Sequence, residues 1–217
     1  MLTFGVAIPS HAKHRHYIPE LLDSLKNASS LPDCVSISCS SMTEGLNINE
    51  SNYPFEIRTS ISEKHKGPSE NRNIAASKLS TDIISFIDSD DLSYYNRTEV
   101  LRKIMEDSKV VVHNFNMGLT FDNFIDTSEI EVIKDYIYSV DEEARDRHGV
   151  KIPFCVKKFE GFHCGHITML KDFANSFPYN ENESVVKWRE DSELLHRIIC
   201  AGYKIDRIKN KLSFYRK

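Results

Sequence analysis

Residues 83–91 read Ile-Ile-Ser-Phe-Ile-Asp-Ser-Asp-Asp: five residues suited to a strand buried on both faces, then carboxylates at 88, 90 and 91. The carboxyl end of such a strand is where an open α/β sheet binds its ligands. Alternate carboxylates at Asp88 and Asp90 can approach one divalent cation together with a diphosphate, and hard oxygen ligands suit Mg²⁺ or Mn²⁺. Carboxylates gathered at a cleft edge repel one another, and a cation relieves that repulsion.

The flanking sequence fits the same sheet. Residues 2–8 form a short apolar run stopped by Pro9-Ser10, and residues 17–25 then carry Ile18, Leu21, Leu22 and Leu25 at helical spacing. Residues 34–39 and 55–59 read as two further strands. Pro68 opens a helix to about residue 79, with Ile74, Ala75 and Leu79 on one face. This alternation predicts a mostly parallel, Rossmann-like central sheet flanked by helices. Residues 9–11, 39–41 and 88–91 then line one edge of one cleft. Beyond residue 92 the pattern loosens. Residues 110–115 read as a strand, 126–148 as a polar stretch helical in part, and 156–170 as a mixed segment bearing aromatics and histidines. Residues 190–201 read as a helix closed by Gly202, and 203–208 as a returning strand. No repeat or linker divides the chain, so residues 1–217 read as one domain.

Lys and Arg number 28 against 32 Asp and Glu, a net charge of −4, which excludes the basic surface of a dedicated nucleic-acid binder. No apolar run reaches the length of a membrane span, and the start lacks the pattern of a signal peptide. These features predict a cytoplasmic protein and leave peripheral association with the cytosolic face of a membrane open. Five scattered cysteines (Cys34, Cys39, Cys155, Cys164, Cys200) read as reduced thiols rather than a disulfide framework.

Three stretches, Ile8-Pro9-Ser10-His11, Gly67-Pro68-Ser69-Glu70-Asn71-Arg72-Asn73-Ile74-Ala75 and Ser85-Phe86-Ile87-Asp88-Ser89-Asp90-Asp91, resemble in order and spacing the family-2 glycosyltransferases of the GT-A fold. Trp188-Arg189-Glu190-Asp191-Ser192-Glu193-Leu194 is similar to that family's acidic catalytic helix, and Gly202-Tyr203-Lys204 with Tyr215-Arg216 to its closing strands. Each motif alone is weak; their succession over most of the chain is what carries the resemblance. It implies a nucleotide-sugar-binding half over about residues 1–92 and an acceptor-binding, catalytic half over about 93–217.

The resemblance also implies roles. Pro9, Ser10 and His11 would line the nucleoside pocket, Arg72 would face the nucleotide and its phosphates, and Asp88 and Ser89 would lie by the ribose. Asp90, with Asp88, would hold a Mn²⁺ or Mg²⁺ ion bridging the two phosphates. Glu190 and Asp191 would supply the base that deprotonates the acceptor hydroxyl, and His163 and His166 would stand on the acceptor side. The implied reaction moves a sugar from a nucleotide diphosphate to the hydroxyl of a glycan or glycoconjugate, with inversion. One departure weakens the usual uridine assignment: the family's base-reading carboxylate at the end of the second strand is replaced by Cys39-Ser40-Ser41, although UDP stays the favoured nucleotide.

Helix geometry separates the two candidate bases. The offsets i+3, i+4 and i+7 from Asp191 give Leu194, Leu195 and Ile198, whereas those from Glu190 give Glu193, Leu194 and Arg197. Asp191 is thus expected to head the buried stripe and act as the base, with Glu190 on a mostly polar face that meets solvent or the loop before it. His163-Cys164-Gly165-His166, with Cys155 upstream, fits no common zinc spacing, and ordinary packing is the plainer reading. His14, His16 and His65 read as solvated loop residues within reach of phosphates. A sugar-phosphate nucleotidyltransferase is the enzyme alternative, disfavoured because the loop after the first strand has no glycine. A non-catalytic nucleotide-sugar binding module is the other, disfavoured because both acidic motifs are present.

Overall fold

In chain order the elements are β1 (Phe4–His11), α1 (Ile18–Lys26), β2 (Cys34–Ser40), β3 (Glu56–Ser62), α2 (Pro68–Ser77), β4 (Ile83–Phe86), β5 (Leu92–Ser93) and α3 (Arg97–Ile104). Then follow β6 (Val110–Gly118), β7 (Val132–Ile133), β8 (Ile167–Leu170), α4 (Lys171–Ser176), α5 (Glu183–Val186), α6 (Glu190–Cys200) and β9 (Asp206–Arg216). The structure is a computed structural model, and it describes residues 1–119, 129–136, 149, 151, 166–186 and 189–216.

One sheet runs through both halves in the order β3-β2-β1-β4-β8-β6-β9-β5, with β7 added to β9. Its first four strands are parallel, as the alternation of strands and helices requires. Beyond β4 the sheet is mixed: β8 runs antiparallel to β4 and β6, while β6 and β9 are parallel. This is the α/β architecture of the GT-A fold.

Side-chain alternation along the central strands splits the core into two layers. Phe4, Val6 and Ile8 of β1 pack with Leu21, Leu22 and Leu25 of α1 and Leu101 of α3 on one face. Ala7 of β1 and Ile84 and Phe86 of β4 pack with Ala75 of α2 and Leu194, Leu195 and Ile198 of α6 on the other. Burying one such aliphatic side chain is worth about 1.5–3 kcal/mol, so both helical layers are fastened by their stripes and not by propensity alone.

Several boundaries differ from the sequence reading. β1 does not stop at Pro9 but continues to His11, because it outruns β4: Ala7 pairs with Phe86, while Pro9 pairs only with Ser38 of β2. A proline without its N–H is tolerated where a strand has a neighbour on one side. The last strand does not begin at residue 203. Gly202 takes a left-handed backbone (φ 81°) to close α6, and β9 starts at Asp206 and runs eleven residues along β6. Of residues 126–148, the described part holds the short strand β7 rather than helix. Helix α3 has no counterpart in the sequence reading. Its Arg97 lies entirely inside the protein, which hides the ordinary polar-out pattern.

Candidate active site

The Gly67–Asn73 segment builds the centre of the site. Gly67 caps α2 with Pro68 in its first turn, and the exposed Glu183 carboxylate lies over the place a Cβ on Gly67 would take. Asn71 is buried; its Oδ1 accepts from Ser38 Oγ at 2.8 Å and its Nδ2 donates to Ser40 Oγ at 3.1 Å, which fixes α2 to the end of β2. Asn73 exchanges two 2.9 Å hydrogen bonds with the backbone of Tyr179, drawing the segment before α5 onto α2. Between the two asparagines Arg72 is 2% exposed. Its Nη2 donates to Asp88 Oδ1 at 2.6 Å and its Nη1 to Glu190 Oε1 at 2.8 Å, with the guanidinium 5.3 Å from the centre of the Tyr179 ring. One guanidinium thus joins the carboxylate loop after β4 to the head of α6, 118 residues away in sequence.

The carboxylate loop is held from several sides. His14 Nδ1 lies 2.9 Å from Asp90 Oδ2, and Ser89 is buried. Asp91 is 1% exposed; its Oδ1 accepts from the backbone N–H of Arg216 at 3.3 Å, while its Oδ2 is enclosed with no hydrogen-bond partner among the described residues. Burial above all, then the neighbouring Asp88 and Asp90, push the Asp91 carboxyl well above the usual range. Beneath the loop Arg97 donates from Nη2 to the Phe86 carbonyl at 2.8 Å and to Ser85 Oγ at 2.9 Å. Its Nε faces His113 Nε2 at 3.4 Å, so the His113 proton sits on Nδ1, which donates to the Asn114 carbonyl at 2.9 Å. Complete burial lowers the Arg97 pKa to about 9, and burial with the adjacent Arg97 charge lowers that of His113 to about 3.

Along the strand ends Pro9 and Ser10 are buried and His11 is half-buried. The His11 ring meets His65 edge-on at 5.6 Å. Burial first, then the charges of His65, Lys13 and His14, lower the His11 pKa. After β2, Ser41 takes a left-handed backbone (φ 59°), held by Ser41 N to Lys64 O at 3.3 Å and Met42 N to Ser62 O at 3.0 Å. Glu44, the first acidic residue past the missing base-reading position, lines a cavity of about 210 Å³ with Arg15 and His16. Another cavity, of about 450 Å³, opens among Leu2, Asp82, Lys109 and Lys171 at the amino ends of the strands, away from this chemistry.

The structure therefore brings Arg72, Asp88 and Glu190 into direct contact and places Ser89, Asp90 and Asp191 beside them. Glu190 corrects the sequence reading: it does not face solvent but is 7% exposed and ion-paired to Arg72. A helical wheel registers only the helix's own residues, whereas the partner that buries Glu190 arrives from α2. Asp191 is 5% exposed, its Oδ1 accepts from Ser192 N at 2.7 Å, and it heads the stripe of Leu194, Leu195 and Ile198, all fully buried. His166 is fully buried beside the rings of His113 (4.9 Å) and Phe115 (4.6 Å). His163, Cys155 and Cys164 lie outside the described residues; Cys34, Cys39 and Cys200 are free thiols. Sequence reasoning overlooked Asn71, Asn73, Tyr179 and Arg97, and it left His14 as a solvated residue.

Among the described residues no three His, Cys, Asp or Glu side chains stand close enough to hold a metal by themselves. That donor set fits Mg²⁺ or Mn²⁺ as held in phosphate-binding sites, where one or two carboxylates serve and water and substrate phosphates complete the shell. Asp90 and Asp88 are the residues that would hold it. The buried Asp91 carboxyl beside them, pushed toward its neutral form, adds little charge of its own, and its Oδ2 has no hydrogen-bond partner among the described residues.

The fold gathers a carboxylate loop, a buried arginine and the acidic head of a helix in one α/β site, and sequence comparison assigns the family. The model of Glycosyl transferase family 2 matches residues 5–171, most of the chain, and the protein belongs to that family. No curated protein matches the chain closely enough to count. Among solved structures, S. aureus TarS 1–349 is similar in fold with a TM-score of 0.64 at 15% identity, covering 99% of this chain and 60% of that one. TarS 1–349 in complex with UDP gives 0.65 at 16% identity over 100% and 61% of the two chains. The complex with UDP-GlcNAc gives 0.65 at 16% over 100% and 59%. The chain thus spans about three-fifths of the TarS 1–349 chains it matches. Among the described residues no helix is long and apolar enough to cross a membrane.

Proposed function

We propose that the protein transfers a sugar from a nucleotide diphosphate to the hydroxyl of a glycan or glycoconjugate, in a metal-dependent, inverting reaction. The observation that carries this reading is the Arg72 bridge, which joins a carboxylate loop suited to a metal-bound diphosphate to an acidic helix head suited to a base. Pro9, Ser10 and His11 line the nucleoside side, Asp88 and Ser89 the ribose. Family membership and a TarS-like fold seen with UDP and UDP-GlcNAc support UDP as the nucleotide.

A divalent cation at Asp90 and Asp88, when bound, neutralises the charge that builds on the departing diphosphate. Arg72 stabilises the same charge from the α2 side. The acceptor oxygen attacks the anomeric carbon as the bond to the diphosphate oxygen breaks, and its proton passes to Asp191. A single displacement of this kind inverts the centre. Glu190 holds Arg72 and not the acceptor.

The test is UDP binding by the native protein and by Asp90→Ala, each with and without Mn²⁺. Mn²⁺ tightens binding to the native protein and leaves the variant unchanged. An equal Mn²⁺ enhancement in both refutes the assignment. A panel of nucleotide-sugars, read by release of the nucleoside diphosphate, then identifies the donor.

A further inference from the structure

Arg216, near the end of β9, reaches the carboxylate loop from the strand that pairs with β5 just after it. Its backbone N–H donates to Asp91 Oδ1 at 3.3 Å, and its Nε donates to the Asp90 carbonyl at 3.1 Å. Its Nη2 donates to Glu20 Oε2 of α1 at 2.6 Å, and its guanidinium lies 4.8 Å from the centre of the Tyr17 ring. Tyr17 belongs to the same short 3₁₀ turn, Ala12–Tyr17, as His14, whose Nδ1 meets the Asp90 carboxylate. The main chain and the side chain of Asp90 are therefore both set by one assembly of Arg216, Tyr17, Glu20 and His14.

We propose that Arg216 is a positioning residue for cation binding: it fixes the Asp90 peptide so that the Asp90 carboxylate points into the cleft. This rests on the reading of Asp90 as the metal-holding residue. Two roles for Arg216 predict opposite signs. A guanidinium acting only as a nearby positive charge repels a cation, so its removal would strengthen cation binding. A guanidinium acting through geometry orients a ligand, and loss of such an outer partner weakens metal affinity by roughly tenfold to a hundredfold. Arg216→Lys separates the two. It keeps the charge but loses the planar fork that spans the Asp90 carbonyl and the Glu20 carboxylate together.

The experiment titrates Mn²⁺ into protein saturated with UDP, followed by the loss of the free Mn²⁺ paramagnetic resonance signal, for the native protein, Arg216→Lys, Arg216→Ala and Glu20→Gln, with thermal unfolding of each. Both Arg216 variants are expected to raise the Mn²⁺ midpoint about tenfold or more. Glu20→Gln, which loosens only the far anchor, raises it less. A midpoint unchanged or lowered in both Arg216 variants overturns the proposal, as does a fall in melting temperature with no change of midpoint. A native protein that shows no bound Mn²⁺ with UDP removes the site reading and this proposal together, whereas normal native binding with unaltered variants removes the proposal alone.

Discussion

Replacing Arg72 by Met is the most direct challenge to the site. The guanidinium is 3% exposed at its side chain, against 16% for Asp88 and 9% for Glu190, and it sits 2.6 and 2.8 Å from them. At an effective dielectric constant near 20 each contact is worth about 4 kcal/mol of Coulomb energy, most of which offsets the desolvation of the three charges. The net value of the bridge is therefore modest, but the cost of breaking it is not. Methionine fills the stem's volume and leaves two carboxylates facing each other without a cation. Breaking a buried pair costs about 3–5 kcal/mol, and the partial exposure of Asp88 keeps the sum at that level rather than doubling it. For a chain of this size that is a fall in melting temperature of roughly 6–20 °C. Arg72→Lys keeps the charge but cannot reach both acids, and should lose about half as much. Thermal unfolding at pH 7 measures both losses. A Met variant that melts within 2 °C of the native protein at pH 7, well below the shift expected of a broken buried pair, refutes the claim that Arg72 neutralises this pair.

Asp191→Asn is expected to keep UDP affinity and lower sugar transfer by roughly 10² to 10⁴ fold, the usual share of a positioned base. Glu190→Gln is expected to act on nucleotide affinity through Arg72; a loss confined to transfer in Glu190→Gln, with Asp191→Asn transferring normally, exchanges the two roles. Without metal, Asp90→Ala should bind UDP slightly better than the native protein, since it removes one repelling charge, and calorimetry in EDTA checks the sign. His113 should make the protein less stable in acid. Its folded pKa of about 3 lies below the ordinary 6.5, so its contribution is complete above pH 6.5 and is lost as the unfolded chain takes up the proton below it. The loss is about 2 kcal/mol at pH 5. Denaturant unfolding across pH 7 to 5 should show that slope in the native protein and a flatter one in His113→Gln.

The first half of the chain was legible because its determinants are local. A strand buried on both faces is written as a mostly apolar run, as residues 83–87 show, and the helix after Gly67 has its cap, its proline and its stripe within residues 67–79. The far half resisted for a physical reason. β8 and β9 pair with strands distant in sequence, so their bounds follow from register with β4 and β6, and no local period marks where Asp206 begins. The same holds for side chains. Glu190 is buried by Arg72, Asp90 is flanked by His14, and Arg216 crosses from β9 to the carboxylate loop, contacts spanning 118, 76 and 126 residues. A motif names the groups that meet a ligand; it carries no sign of the groups that aim them.

The charges of the cleft sharpen the functional reading. Around the loop stand the acids Asp88, Asp90, Glu190 and Asp191, with the buried Asp91 carboxyl pushed toward its neutral form, and the guanidiniums of Arg72, Arg97 and Arg216. Arg72 is spent on Asp88 and Glu190, and Arg216 reaches Asp90 only at its carbonyl. On the proposed reading the diphosphate would lie by this loop, whose Asp88 and Asp90 carboxylates would repel a polyanion arriving alone. A divalent cation held by Asp90 and Asp88 would turn that repulsion into attraction, because it would offset the charge of the loop carboxylates and of the diphosphate alike. On that reading Arg72, engaged on both acids, would share its hold on Asp88 with phosphate oxygens. With Glu190 on the guanidinium, the proposed reading gives the base's role to Asp191, the carboxylate at the head of the apolar stripe.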